Sequence, residues 1–257
     1  MIAVNDGGTN RCLHRLLRGE VVFGILQTFP GSTLTEMAVW SGFDFVIVDC
    51  EHGVVDEAAH LTSLQVLSNS SAFSVVRVKS HDLIAVGRYL DFGADSILMP
   101  DIRSAADAAT FVAAAHHGPE GTRSSAGRMT RELRYGCDAA SETRRPLLFA
   151  MIESGEAVTN VRAIVATPGL AGIVIGPHDL AADLGTELGS AQYREAVETI
   201  ERATLEAGLL LGSAPNPAYS IARLRDAGHR FILASADAAA IREGMQLRLA
   251  AARRELI

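Results

Sequence analysis

Lysine is almost missing from this chain. Of its 23 basic residues only Lys79 is a lysine, so a mechanism that needs a side-chain amine has one candidate. Cysteine is sparse: Cys12, Cys50 and Cys137 are odd in number, widely spaced and contain no Cys-x-x-Cys pair. This argues against a disulfide framework and a structural zinc site, and fits a reducing cytoplasm. No apolar run is long enough to span a bilayer, and Met1 to Asp6 begin no basic-then-apolar leader, so neither membrane anchor nor secretory signal is expected. Gly-x-Gly-x-x-Gly, Gly-x-x-x-x-Gly-Lys-Ser/Thr and Gly-x-Ser-x-Gly are all absent, which removes the common dinucleotide, nucleotide and serine-hydrolase signatures. A net charge of −7 and a pI near 5.6 argue against nucleic acid as the main partner.

What is present is a sizeable apolar complement. Of the 257 residues, 48% are hydrophobic and 21% charged, enough for one α/β barrel or two ordinary domains. Short aliphatic runs alternate with helix-like segments, the pattern of βα units around a parallel sheet. The runs fall near residues 21–27, 45–49, 74–78, 95–99, 147–152, 171–175, 208–213 and 230–235. Eight such runs predict a closed (β/α)8 TIM barrel. Helix punctuation supports the spacing: Ser104 before Ala105, Gly118 after the Ala-rich stretch, Ser190 and Gly208 around one long segment, and Ser235 with Asp237 before Ala238 to Leu249. No low-complexity tract or composition shift marks a linker, so residues 1–257 are expected to form a single barrel domain. One connection, from Pro119 to about Pro146, is longer than the rest and rich in arginine (Arg123, Arg128, Arg131, Arg134, Arg144, Arg145). It is read either as an active-site loop or as a solvated excursion.

Several polar residues stand where apolar runs end. Leu147 to Ile152 stops at Glu153, and Ala171 to Ile175 leads through Gly176-Pro177-His178 to Asp179. The carboxyl ends of barrel strands face one mouth, so the two carboxylates can share a hard divalent cation such as Mg²⁺ or Mn²⁺. Each can instead cap the helix that follows. Phe45, Ile47 and Asp49 share a strand face, and His52 follows within reach of Asp49, an arrangement that orients the ring as a proton shuttle. Val75, Arg77 and Lys79 share a face of the third strand. Arg77 is placed to clamp a carboxylate or hold an enolate oxygen, with a buried structural ion pair as the alternative. Gly176 permits close backbone approach, and the new helix's free N–H groups suit an anion. His178 diverges from Asp179 at a helical start and is read as supporting or exposed. Cys50 is read as a small buried hydrophobe.

In this order the residues Asp49-Cys50-Glu51-His52, Val76-Arg77-Val78, Leu90-Asp91-Phe92-Gly93-Ala94, Met99-Pro100, Gly121-Thr122-Arg123, Met151-Ile152-Glu153 and Ile175-Gly176-Pro177-His178-Asp179-Leu180 resemble the HpcH/HpaI aldolase/citrate-lyase family. The likeness runs from about residue 20 and is nearest to the 4-hydroxy-2-oxoheptanedioate and 2-dehydro-3-deoxyglucarate aldolase branch. It implies a barrel of the phosphoenolpyruvate/pyruvate-binding type, a hexamer or trimer of dimers, and a cytoplasmic enzyme acting on a 2-keto acid and an aldehyde. It makes Glu153 and Asp179 ligands of Mg²⁺, Mn²⁺ or Co²⁺, and His52, oriented by Asp49, the acid/base residue. Arg77, Gly176, Pro177 and His178 become substrate contacts, with Glu51 and Arg123 in support. The alternatives are an acyl-CoA lyase of the citramalyl or malyl type, a Schiff-base aldolase on Lys79, and a non-catalytic barrel that binds a keto acid. The chain departs from the family where Leu26 stands for a common Trp, Met151 for Gln, Lys79 for Pro, and Ser124-Ser125-Ala126 for a Gly-rich stretch. The changes at Leu26, Met151 and Ser124-Ser125-Ala126 bear on which aldehyde and donor fit.

Overall fold

The computed structural model describes residues 11–54, 56–127 and 145–255. Arg128, Arg131, Arg134, Cys137 and Arg144 lie outside the described residues. Eight parallel strands close a barrel in chain order: β1 (Val22–Gln27), β2 (Phe45–Asp49), β3 (Phe73–Arg77), β4 (Ser96–Met99), β5 (Leu147–Ile152), β6 (Gly172–Ile175), β7 (Leu210–Ser213) and β8 (Phe231–Ala236). The helices around and between them are α1 (Arg11–Leu17), α2 (Ser32–Trp40), α3 (Glu57–Ser68), α4 (Leu83–Asp91), α5 (Ala105–Ala115), α6 (Gly155–Val165), α7 (Pro177–Asp183), α8 (Ala191–Glu206), α9 (Ile221–Asp226) and α10 (Asp237–Arg254). All eight barrel strands coincide with apolar runs of the sequence. β7 begins later than read because Gly208, at φ 70, first ends α8.

Period-two alternation sorts the strand side chains into two cores. Val46, Val48, Val76, Leu148, Ile152, Ile173 and Ile175 face the helices. Phe45, Ile47, Phe73, Val75, Phe149, Met151, Val174 and Phe231 fill the barrel interior, with Cys12 and Leu16 of α1 packed among them. Phe231 stacks on Phe45 at 3.8 Å and on Phe149 at 4.9 Å between ring centroids. Each ring has a glycine for its partner on the neighbouring strand. Gly24 pairs with Phe45, Gly172 with Phe149 and Gly212 with Phe231. A Cβ on Gly24 would lie 2.0 Å from the Phe45 ring, and one on Gly172 would lie 2.7 Å from that of Phe149. Glycine therefore supplies the space in which the aromatic stack lies.

Most helices begin with a side-chain cap, which fixes where each strand ends and its loop begins. Asp56, Asp82, Ser104, Ser154, Ser190 and Ser220 each accept first-turn amides, and Ser104 forms a capping box with Asp107. Two punctuation readings need correction. α5 stops at Ala115, ahead of Gly118, and α10 starts from Ala236 with no side-chain cap, so Ser235 is not its cap. Among the described residues no helix is long and apolar enough to cross a membrane.

A candidate active site at the carboxyl end of the barrel

Asp49 is the last residue of β2, Arg77 the last of β3, and Glu153 the first after β5. All three fall on the interior face in the alternation just described, so they rise from the barrel core into its mouth. Asp49 is 1% exposed. Its Oδ1 accepts from Arg77 Nε and its Oδ2 from Arg77 Nη2, both at 2.8 Å, a bidentate clamp. Oδ1 also accepts the backbone amides of Glu51 at 3.1 Å and His52 at 3.4 Å. The strand-end carboxylate thus holds a guanidinium on one side and shapes the β2 loop on the other.

The sequence predicts that Asp49 orients the His52 ring, but its oxygens are committed to Arg77 and to backbone. The carboxylate near the ring is Glu51, whose Oε2 lies 3.7 Å from His52 Nε2 and 3.5 Å from Arg77 Nη1. A side chain three residues past a strand end has turned with the loop, whereas Arg77 lies directly across the β2–β3 register from Asp49. The His52 side chain is 68% exposed at the rim, open to a ligand in the mouth.

Neither Glu153 nor Asp179 acts as a helix cap. Ser154 caps α6, and α7 has Gly176 at its N-cap with no side-chain bond. Glu153 Oε1 instead accepts the Asp101 amide at 2.8 Å. Its Oε2 faces Gly176, where an added Cβ would lie 2.4 Å away, so glycine is required for this pose. Burial first, then Asp179 and Glu51, raise the Glu153 carboxyl to about 7 against the opposing Asp101 amide and Arg77. Glu51 is also raised, first by burial. Burial works against the charge on Arg77, but its bond to Asp49 and the surrounding carboxylates outweigh it and hold the guanidinium charged. With all groups ionised, Asp49, Glu51, Glu153 and Asp179 outnumber Arg77, the cation that the described residues place among them, an excess that favours a bound cation.

The donor set fits a hard divalent ion, to which Glu153 and Asp179 would supply carboxylate oxygens. Among the described residues no three His, Cys, Asp or Glu side chains form a metal cage. An ion held here would take two carboxylates and complete its shell with water and substrate, a pattern that Mg²⁺ tolerates. Pro177 is buried at the start of α7, while His178 and Asp179 are exposed in its first turn. Lys79 is exposed beyond the end of β3. Cys50 is buried, lies 3.5 Å from His60 Nδ1, and has its thiol pushed up to about 12 by burial, as suits an inert packing residue.

Arg123 does not support this site. It pairs with Asp91 at the end of α4, packs on Gly87, and bridges to His117 beyond α5. Helices run back down a barrel, so these ends lie at the amino-terminal face, opposite Glu153. Its reach is taken up by Asp91. Conversely, Asp101 was overlooked. Its only sequence cue is a Pro100-Asp101 turn signal, and turn signals do not say where an amide points.

Fold and site together define a (β/α)8 barrel with an acidic, arginine-bearing mouth. The chain belongs to the HpcH/HpaI aldolase/citrate lyase family, which it matches over residues 30–241. The hydroxypyruvate/pyruvate aldolase of Chromohalobacter salexigens is 32% identical over 234 residues, covering 88% of this chain and 91% of that protein. The 5-keto-4-deoxy-D-glucarate aldolase of Escherichia coli O157:H7 is 32% identical over 200 residues, 77% of each chain. A solved HpcH/HpaI family protein from Burkholderia cenocepacia J2315 superposes with a TM-score of 0.83 at 26% identity, covering 95% of this chain and 100% of that one.

Proposed function

We propose that this chain is a divalent-metal-dependent, class II aldolase that reversibly adds pyruvate, or a related 2-keto acid, to an aldehyde. As a member of its family it is a carbon–carbon lyase. The observation that carries the reading is the Asp49–Arg77 clamp standing in one mouth with Glu153 and Asp179. A 2-keto acid offers the two features this mouth suits, an anionic end and a ketone oxygen on which charge develops.

Arg77 is held rigid by two bonds to Asp49, and Nη1 remains to donate to the keto oxygen and, more strongly, to the enolate oxygen. Asp49 keeps that guanidinium charged and aimed without touching substrate. His52 reaches over the rim with Glu51 behind it and moves the proton at the hydroxyl of the aldol product. Gly176 and Pro177 leave a small, backbone-walled face for the acid group, at the start of α7 with His178 on its outer side. A divalent ion held by Glu153 and Asp179 supplies Lewis-acid polarisation of the ketone, which makes the adjacent methyl protons acidic. Mg²⁺, Mn²⁺ and Co²⁺ each suit the oxygen donors. We further take residues 1–257 as one catalytic unit that works in the cytoplasm and assembles as a hexamer or trimer of dimers.

The test is exchange of pyruvate methyl protons in deuterated solvent, followed by NMR with Mg²⁺, Mn²⁺ or Co²⁺ and with chelator. Exchange that depends on added metal, and collapses in Glu153→Ala, Asp179→Ala and Arg77→Ala, is the expected result. Exchange unaffected by chelator would overturn the metal reading, and no exchange under any condition would overturn the aldolase.

A further inference from the structure

Among the described residues two other than glycine have left-handed backbone, His81 at φ 57 and Asp101 at φ 53. They face each other across the loops that follow β3 and β4, with His81 Nε2 3.7 Å from Asp101 Oδ2. Left-handed backbone at a non-glycine position persists where the surroundings enforce it, and such positions gather at functional sites. At Asp101 the surroundings are explicit. Arg103 Nε donates to Asp101 Oδ1 at 2.7 Å, and Ser80 Oγ reaches Oδ2 at 3.5 Å. Arg103 is tied down in turn, since its amide donates to Asp107 Oδ2 at 3.2 Å and its carbonyl accepts from Asn160 Nδ2 at 2.9 Å.

The consequence lies in two successive amides. Ile102 N–H donates to the Met151 carbonyl at 3.3 Å, prolonging the β4–β5 pairing past the end of β4. Asp101 N–H leaves that ladder and donates to Glu153 Oε1 at 2.8 Å. A strand end that kinks to re-aim one group is a common device at a barrel rim. Glu153 is then fixed from two sides, by this amide on Oε1 and by the bare Gly176 backbone beside Oε2.

We propose that Asp101 is a positioning residue for the metal-binding carboxylate. Its left-handed backbone aims an amide that orients Glu153 and leaves the second oxygen free for the ion, while its Oδ1 accepts from Arg103 Nε as an amide oxygen also can. The inference rests on the metal reading above and deepens it. It assigns to Asp101 a part that its partly exposed, charged side chain hides, because the group that acts is the backbone N–H.

The test is direct Mn²⁺ binding, followed by the loss of the free-ion electron paramagnetic resonance signal and by the rise in Tm on adding Mn²⁺. Wild type and Glu153→Gln serve as references beside Asp101→Asn and Asp101→Val. Asparagine accepts left-handed backbone, whereas a β-branched side chain resists it. Asp101→Asn should stay within about threefold of wild type, and Asp101→Val should lose roughly 10- to 100-fold in Mn²⁺ affinity, the scale for groups that orient metal ligands. If Asp101→Val does not fold, Asp101→Ala makes the same demand with a smaller side chain. Wild-type affinity in the folded Val or Ala variant overturns the proposal, and so does an Asn variant as weak as Val, which would locate the effect in charge. If wild type itself binds no Mn²⁺, or Glu153→Gln binds as wild type does, the metal reading fails first, and that outcome is separate from the Asp101 result.

Discussion

At the scale of single residues, the site depends on how burial and charge set the protonation of Glu153. Burial, with Asp179 and Glu51 adding to it, raises its carboxyl to about 7, so a cation bound as proposed would compete with a proton for the same oxygens near neutrality. Affinity for Mn²⁺ should therefore fall as pH drops below about 7, approaching tenfold per unit well below it. The sign for folding is opposite in the metal-free protein. The folded carboxyl keeps a proton that the unfolded one releases, so its contribution to stability is present below the ordinary carboxylate value of 4.5 and is lost as pH rises to about 7. Thermal melts from about pH 5 to about pH 8 check both signs. The stabilisation by Mn²⁺ should grow with pH over that span, and a gain independent of pH would remove Glu153 from the ion. The residue types were legible in the sequence, where Glu153, Arg77 and Asp49 stand at strand ends and Asp179 follows one through a short turn. Their partners were not. Asp49 holds Arg77 rather than His52, because cross-strand register and not sequence distance decides which side chains meet.

At the scale of elements, the loops of the mouth hold one another. Asp237 opens α10 at the top of β8, is 5% exposed, and shares its carboxylate between the Ala238 amide and the loop after β1. Oδ1 accepts from Thr28 Oγ1 at 2.6 Å, and Oδ2 from the amides of Thr28 at 3.0 Å and Phe29 at 2.9 Å. The Thr28 carbonyl then accepts the Val54 amide at 3.0 Å, which ties the β2 loop and His52 into the same chain of bonds. Gly53 permits the contact, since a Cβ there would lie 2.3 Å from the Asp49 carbonyl and 3.0 Å from that of Thr28. Asp237→Ala strands part-buried donors and should cost about 1–3 kcal/mol. Urea denaturation measures that loss, and faster amide exchange in residues 28–31 and 51–54 should accompany it. A stable variant with unchanged exchange would show that the loops stand independently. From the sequence Asp237 reads as helix punctuation, because nothing local reveals that closing the barrel brings β8 beside β1.

At the scale of the whole molecule, the outer surface carries more exposed apolar side chains than the barrel itself requires. Trp40 is 89% exposed and Met37 59% on α2, while Met245 and Leu247 are each 68% and Leu249 is 53% on α10. On α10 the only residue buried is Asp237. These side chains support the proposed assembly, since a helix with its apolar residues in water gains by covering them. Light scattering on the purified chain should give a mass several times 27.3 kDa. Met245→Glu with Leu249→Glu should reduce it, and a monomeric wild type at micromolar concentration would end the proposal.

The sequence alone determined the strand count, the parallel barrel and the identity of the strand-end acids and arginine, because hydrophobic periodicity and the ends of apolar runs are local properties of the chain. It also carried the family likeness. Tertiary structure decided which of those groups touch. Barrel closure set Asp237 against Thr28, strand register set Asp49 against Arg77, and the course of α4 and α5 carried Arg123 to the far face. A left-handed turn at Asp101 set a backbone amide against Glu153. Each of these contacts joins residues whose separation along the chain says nothing about their distance, and only the closed barrel brings them together.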